Sequence, residues 1–228
     1  MTEKIELVQR VQFIKDACRG RKVLHLGCTN WPYTREALEN NSLLHLELNG
    51  LAGELWGFDF DQEGLDVLAG KGIANLYRAD LEKLGELNIN ETFDVIVAGE
   101  MIEHLNNPGL FLQGIQRFMN TETTLLITTV NAYCGFRLLY YALRGHGGTA
   151  EPVHPDHVAY YSYSTLNLLV KRAGLDVSRF FFYDLGPEHR ATAPWHTKLA
   201  NDICVKISKQ LADGVIAVCK LPPKNGKV

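Results

Sequence analysis

The stretch Val23-Leu24-His25-Leu26-Gly27-Cys28-Thr29-Asn30 decides the fold. Its apolar run is of strand length and halts at Gly27, after which residues 34 to 49 return to a mostly helical composition. Strand, turn and helix in that order open a βαβ unit. Working outward, the alternation recurs. Glu54 to Phe58 reads as strand, Gln62 to Ala69 as helix, Ile73 to Arg78 and Phe93 to Ala98 as strands, Gly109 to Met119 as helix and Thr124 to Thr129 as strand. Upstream, Leu7, Val11, Ile14 and Cys18 keep helical spacing and Gly20 stands where a helix ends. Strands interleaved with helical stretches predict right-handed crossovers, hence an α/β, doubly wound, mostly parallel sheet with helices on both faces.

Downstream, a helix is expected from about Tyr133 to Leu143, then a segment rich in Gly, His and Pro from Gly145 to His157. Leu166, Leu169, Val170 and Ala173 form the stripe of a further helix, with Ser164 as its N-cap and Gly174 closing it. A strand from Leu175 to Tyr183, a helix from about Thr197 to Leu211 and a last strand from Val215 to Lys220 complete the chain. No repeat and no linker divides it. Residues 1–228 therefore read as a single domain with an irregular cap at about 130–160.

Composition narrows the function. Lys and Arg number 23 against 26 Asp and Glu, so a net charge of −3 offers no global basic field for nucleic acid. No run approaches the ~18 apolar residues of a membrane span, and the first residues mix acids and bases where a signal peptide carries an apolar core. The five cysteines are odd in number and scattered, with no C-x-x-C pair, which fits reduced thiols in a cytoplasm.

Four polar signals fall at strand ends: Gly27-Cys28-Thr29-Asn30, Gly57-Phe58-Asp59, Ala79-Asp80-Leu81-Glu82 and Gly99-Glu100-Met101-Ile102-Glu103-His104. Sheets of this kind bind ligands at the carboxyl ends of their strands. An acid closing the second strand can accept both hydroxyls of a ribose, and one closing the third can accept an adenine amino group. Together they describe a nucleoside pocket.

With these pieces in this order the chain resembles the class I S-adenosylmethionine-dependent methyltransferases. It is most similar to the small-molecule branch that includes ubiquinone-biosynthesis and methionine-biosynthesis-like O-methyltransferases. The matching residues are Val23 to Cys28, Gly57 to Asp59, Ala79 to Leu81, Phe93 to Pro108, Thr128 to Asn131, His157-Val158, Tyr163 to Leu166 and Ala173 to Leu175. The resemblance implies a Rossmann-like seven-stranded sheet whose last strand runs antiparallel. It also implies methyl transfer from S-adenosylmethionine, leaving S-adenosylhomocysteine, to a small-molecule acceptor, at oxygen.

Residue by residue, it places Gly27 and its neighbours His25, Cys28 and Thr29 against the methionine part of the cofactor, Asp59 on the ribose hydroxyls, Asp80 at adenine and Glu100 beside the sulfonium, with Phe60, Leu81 and Gly99 as further cofactor-binding candidates. The chain departs from the pattern at His25, where relatives carry an acid, and at Thr29 and Trp31, where they carry glycine. The run from Gly27 to Asp59 also exceeds the ~20 residues usual between a glycine turn and its ribose acid.

The catalytic candidates are His157, His154 and His104. His157 reads either as the base that takes the acceptor's hydroxyl proton, with Asp156 or Glu151 to orient it, or as a brace that hydrogen-bonds the backbone of the cap. Some quinone O-methyltransferases hold a divalent ion on a motif like Glu100, Glu103 and His104; hydrogen bonds that brace the loop are the preferred reading, and no metal site is assigned. Tyr160 and Tyr161 are expected to shape an acceptor pocket. A nicotinamide dehydrogenase would need G-x-G-x-x-G, whereas Trp31 and Pro32 fill this turn. The alternative reading is a catalytically silent methyltransferase fold that senses the cofactor or binds a partner.

Overall fold

The computed structural model describes residues 5–144, 154–186, 190 and 193–223. Among them, strands β1 (Leu7–Val8), β2 (Lys22–Leu26), β3 (Glu54–Asp59), β4 (Leu76–Arg78), β5 (Val95–Gly99), β6 (Thr124–Val130), β7 (Asp176–Tyr183) and β8 (Gly214–Lys220) form one sheet. Its order is β1-β7-β8-β6-β5-β2-β3-β4. All neighbours are parallel except β8, which runs antiparallel to both β6 and β7.

The chain steps outward from β2 to β3 and β4, then returns to the other side of β2 for β5. That reversal puts the topological switch point between β2 and β5, where the carboxyl ends of the strands leave a crevice.

Because the middle of the sheet is covered on both faces, β2, β5, β6 and β8 are buried along nearly their whole length rather than at alternate residues. On one face Leu24, Leu26, Phe58, Ile96 and Ala98 pack under α5 (Pro108–Gly114) and α7 (Tyr163–Arg172), where Phe111, Leu166 and Val170 are buried. On the other face Val23, Val95 and Val97 pack under α1 (Arg10–Cys18) and α3 (Leu44–Asn49) through Ile14, Cys18 and Leu48. Each such side chain contributes ~1.5 to 3 kcal/mol when fully buried. Among the described residues the remaining α-helices are α2 (Thr34–Glu39), α4 (Gln62–Gly70), α6 (Gly135–Arg144) and α8 (Trp195–Ile207).

Local chemistry shifts several expected boundaries. The sheet has eight strands, not seven, because Leu7 and Val8 pair with Phe182 and Tyr183 along the edge of β7. The first helix accordingly starts at Arg10, where the Gln9 side chain caps the Gln12 N–H. The helical stretch 34–49 is split by Asn41, whose φ of 51° ends α2 before Leu44 restarts the helix. Asn75, at φ 56°, delays β4 to Leu76. Helix α7 is capped by Ser162 rather than Ser164, through a reciprocal pair of bonds with Thr165. Glu151, His146 and His189 lie outside the described residues.

Candidate active site

The crevice is built first by the turn after β2. Gly27 takes φ +70°, and a Cβ placed there would meet only the Met101 Cβ, at 3.7 Å. Backbone at this point is therefore open to a ligand that approaches closely. The next residues are anchored from β3: Thr29 N–H donates to Asp59 Oδ2 at 2.9 Å, and Asp61 N–H to Asp59 Oδ1 at 3.0 Å. A carboxylate has about four acceptor positions, so Asp59 keeps capacity for hydroxyl donors after fixing the loop. Asp61 is occupied as the N-cap of α4, accepting from the Gly64 N–H at 3.0 Å.

Beyond β3 and β4 lies a cavity of about 410 Å³ lined by Phe60, Asp80, Glu82, Lys83, Asn107 and Leu110, together with Asn106. Phe60 is 67% exposed, and the Arg78 guanidinium sits 5.2 Å from its ring centroid. Asp80 Oδ1 accepts the Glu82 N–H at 3.0 Å, which closes the turn, and its Oδ2 stands 3.3 Å from the Lys83 ammonium, both residues lining the cavity. Glu82 in turn accepts from the backbone and side chain of Asn107, at 3.1 and 3.0 Å, and so ties the β4 loop to the loop after β5. Leu81 packs on the core rather than lining the cavity.

Glu100 closes β5 in a left-handed conformation, φ 51°. Its Oε1 accepts from the Tyr183 hydroxyl at 2.7 Å and from Thr128 Oγ1 at 3.0 Å. Glu103 points the other way and is fully buried, its Oε2 accepting from Thr129 Oγ1 at 2.9 Å. Burial, and then the charge of Glu100, push its carboxyl up to about 8. The Glu103 carbonyl accepts the Val158 N–H at 2.9 Å, so this residue holds the returning cap segment against the sheet.

Three histidines converge beside Glu100. His104 follows β5, and His154 and His157 arrive on the segment leading to α7. Ring centroids are 4.6 Å apart for His104 and His157, 5.0 Å for His154 and His157, and 5.9 Å for His104 and His154. One ring nitrogen from each lies within 4.8 Å of the others. Desolvation lowers the pKa of His104 and, with repulsion from the other two rings, takes His157 down to about 4. Tyr160 stands 5.7 Å from the His157 ring.

The structure thus brings His104, His154 and His157 together, and lines up Gly27, Asp59, Phe60, Asp80, Gly99 and Glu100 along the strand ends. Several expectations need correction. The His25 ring does not reach the crevice: it is buried on the face toward α3, with its Nδ1 3.1 Å from the Nδ1 of His45. Desolvation pushes its pKa well down and that of His45 to about 4. The Cys28 and Thr29 side chains are also fully buried, so only their backbone can meet a ligand. Tyr161 is core, bridged to Asn131, rather than pocket lining. At Glu103 no correction is needed: the carboxylate accepts from Thr129 Oγ1, a hydrogen bond of the kind expected to brace the loop after β5.

Sequence reasoning missed Tyr183 and Arg10. Tyr183 ends a run of aromatics that reads as plain strand, and only its register beside β8 aims the hydroxyl at Glu100. Arg10 lies 5.9 Å from the Tyr183 ring, and nothing in its sequence context marks it.

Fold and strand-edge site define a methyltransferase of the class I architecture. A model of the methyltransferase domain matches residues 6–179. The chain belongs to that family, and the expected assignment as an S-adenosylmethionine-dependent methyltransferase stands with it. No curated protein sequence matches. Among solved structures it is similar to an S-adenosylmethionine-dependent methyltransferase from Archaeoglobus fulgidus, at 17% identity over 92% of this chain and 90% of that one, TM-score 0.59. It is similar to magnesium protoporphyrin IX methyltransferase from Synechocystis with bound S-adenosylhomocysteine, at 11% identity over 93% and 82%, TM-score 0.57. A chain of the Haloferax volcanii complex between a methyltransferase activator and a methyltransferase is similar at 13% identity over 96% and 95%, TM-score 0.56. At these identities the likeness is one of fold.

Proposed function

We propose that residues 1–228 act as a single methyltransferase domain in the cytoplasm, moving a methyl group from S-adenosylmethionine to an oxygen of a small-molecule acceptor admitted under the cap at about 130–160. The observation that carries this reading is the row of Asp59, Asp80 and Glu100 at the ends of three neighbouring or near-neighbouring strands, with a cavity beside Asp80 that carries the exposed aromatic ring of Phe60. Asp59 accepts the ribose hydroxyls, Phe60 stacks on adenine, Asp80 accepts its amino group, and the Gly27 turn passes the methionine part by backbone contacts. Gly99 and Glu100 border the reacting end.

The cofactor supplies an activated methyl group: its carbon–sulfur bond breaks as the carbon–oxygen bond forms, and the electron pair stays on sulfur. The protein has to hold the acceptor in line and keep its hydroxyl hydrogen-bonded. His157, with His104 and His154 beside it, accepts that hydrogen bond, and the proton leaves through the cluster to water. A catalytically silent fold is not favoured, since the strand-edge acids are in place. No helix among the described residues is long and apolar enough to cross a membrane, and the −3 net charge speaks against a nucleic-acid substrate.

The test is a thermal shift with S-adenosylhomocysteine, followed by transfer of a labelled methyl group to a panel of hydroxylated small molecules. Ligand at ~100 times its Kd adds ~2.7 kcal/mol to the folded state. No shift at saturating ligand overturns the cofactor assignment; label appearing only on nitrogen acceptors overturns the choice of oxygen.

A further inference from the structure

We propose that His104, His154 and His157 form a three-histidine site for a divalent transition-metal ion of the zinc type, with its remaining coordination position open to an oxygen of the acceptor. The geometry comes from two chain segments far apart in sequence. His104 is set by the turn after β5, and His154 and His157 by the cap segment, which the Glu103 carbonyl pins through Val158 and Ala159.

Three ring nitrogens within 4.8 Å of one another need only contract to the ~3.3 Å edges of a tetrahedron with ~2.0 Å bonds to nitrogen. His104 and His154 are exposed and His157 is half-buried, so side-chain rotation can supply that movement. Imidazole sets favour ions of this class over magnesium or calcium, which prefer oxygen.

Two further features suit a metal. The Nδ1 of His157 is buried with no hydrogen-bond partner, a costly state for a polar atom unless something binds it. The Asp156 N–H donates to His154 Nδ1 at 3.3 Å, and Asp156 Oδ2 stands 3.9 Å from the same nitrogen. These contacts hold the ring's orientation and leave its Nε2 for a metal, which displaces the proton there as it binds. Glu100 is near enough to act on both His104 and His157, and it leaves a net negative neighbour for a cation.

A cation here would take over from the His157 ring: it would hold the acceptor through its hydroxyl oxygen, or through two adjacent oxygens, and ease loss of the hydroxyl proton to water, His157 accepting the hydroxyl directly only where no ion is bound. That role rests on the methyltransferase reading. Metal binding itself does not.

The test uses tag-free full-length protein stripped with chelator and titrated with Co²⁺, read by its visible absorption, then with Zn²⁺ in competition, read by elemental analysis after dialysis. One Co²⁺ per chain with the intense bands of tetrahedral coordination, displaced by Zn²⁺, is expected. His104→Ala, His154→Ala and His157→Ala should each weaken binding by at least ~100-fold, since even outer partners of a metal site are worth 10- to 100-fold. His196→Ala, on α8, should bind like the parent. Circular dichroism of each variant separates lost ligation from lost fold, and His154→Gln serves if an alanine variant unfolds.

Parent protein that takes up neither ion, or histidine variants that bind as the parent does, would overturn the site. Both readouts are made without cofactor. Failure of S-adenosylhomocysteine to bind would thus strike the methyltransferase reading and leave the metal result standing, and the reverse also holds.

Discussion

The hydroxyl of Tyr183, at the end of β7, donates to Glu100 Oε1 across 2.7 Å. The bond spans β8 and β6 and joins the C-terminal part of the sheet to the loop that borders the reacting end of the crevice. Thr128 gives the same oxygen a second donor, so the carboxylate is fixed before any ligand arrives.

Tyr183→Phe should therefore destabilise the protein by ~1.5 to 3 kcal/mol, the range for a hydrogen bond to a charged group. Gly214 is the partner that makes this approach possible, because a Cβ there would lie 2.0 Å from the Tyr183 ring. Gly214→Ala should cost at least as much, near or above the ~1 to 3 kcal/mol of overpacked sites. Urea unfolding of both variants checks this, and an unchanged midpoint in either would show that Tyr183 has another place to go.

Asp59 combines two duties. Asp59→Ala should abolish measurable binding of S-adenosylhomocysteine and, because the buried Thr29 N–H loses its acceptor, destabilise the apo protein by ~1 to 3 kcal/mol. Asp59→Asn keeps one acceptor oxygen and should retain more stability than affinity. Calorimetric titration set beside unfolding curves distinguishes the two effects; a variant that binds like the parent would remove Asp59 from the cofactor site.

Phe60 offers a cleaner probe. Its ring is 67% exposed, so Phe60→Ala should leave stability within ~0.5 kcal/mol of the parent. Loss of stacking on a base is worth ~1 to 3 kcal/mol, and cofactor affinity should fall by ~10-fold or more. Equal affinity for parent and variant would place the adenine elsewhere.

The pair His25 and His45 predicts acid sensitivity. Folding holds both rings neutral, with desolvation as the leading cause and mutual repulsion adding at His25. The unfolded chain, titrating near ~6.5, binds more protons in acid. Stability from this source is therefore whole above pH ~6.5 and is lost as pH falls toward about 4, with His45 alone worth ~3 kcal/mol. Unfolding free energies measured from pH 7.5 to 4.5 should decline, and His45→Leu should flatten the acid limb. An acid limb identical in parent and variant would mean that the pair takes up protons without opening.

The sequence by itself determined the order of strands and helices along the chain and the acids at the strand ends. Those features are local: apolar runs such as Val23 to Leu26 or Val95 to Ala98 are strands wherever they fold, and the residue that ends a parallel strand stands at its ligand-binding edge whatever the neighbours. Some boundaries slipped where one residue took an unusual conformation, as Asn41 and Asn75 did, and others where a strand pairing or a cap set the start, as at Leu7–Val8 and Ser162.

Tertiary structure alone decided what those edges face. The placement of β7 against β8 brings Tyr183 to a glutamate 83 positions away. Crossover and cap return His154 and His157 to His104, and the packing of α3 on β2 turns His25 away from the crevice toward His45. Side-chain meetings of this kind depend on sheet order and on which face a residue takes. A linear pattern carries the periodicity of each element but not the partner set against it.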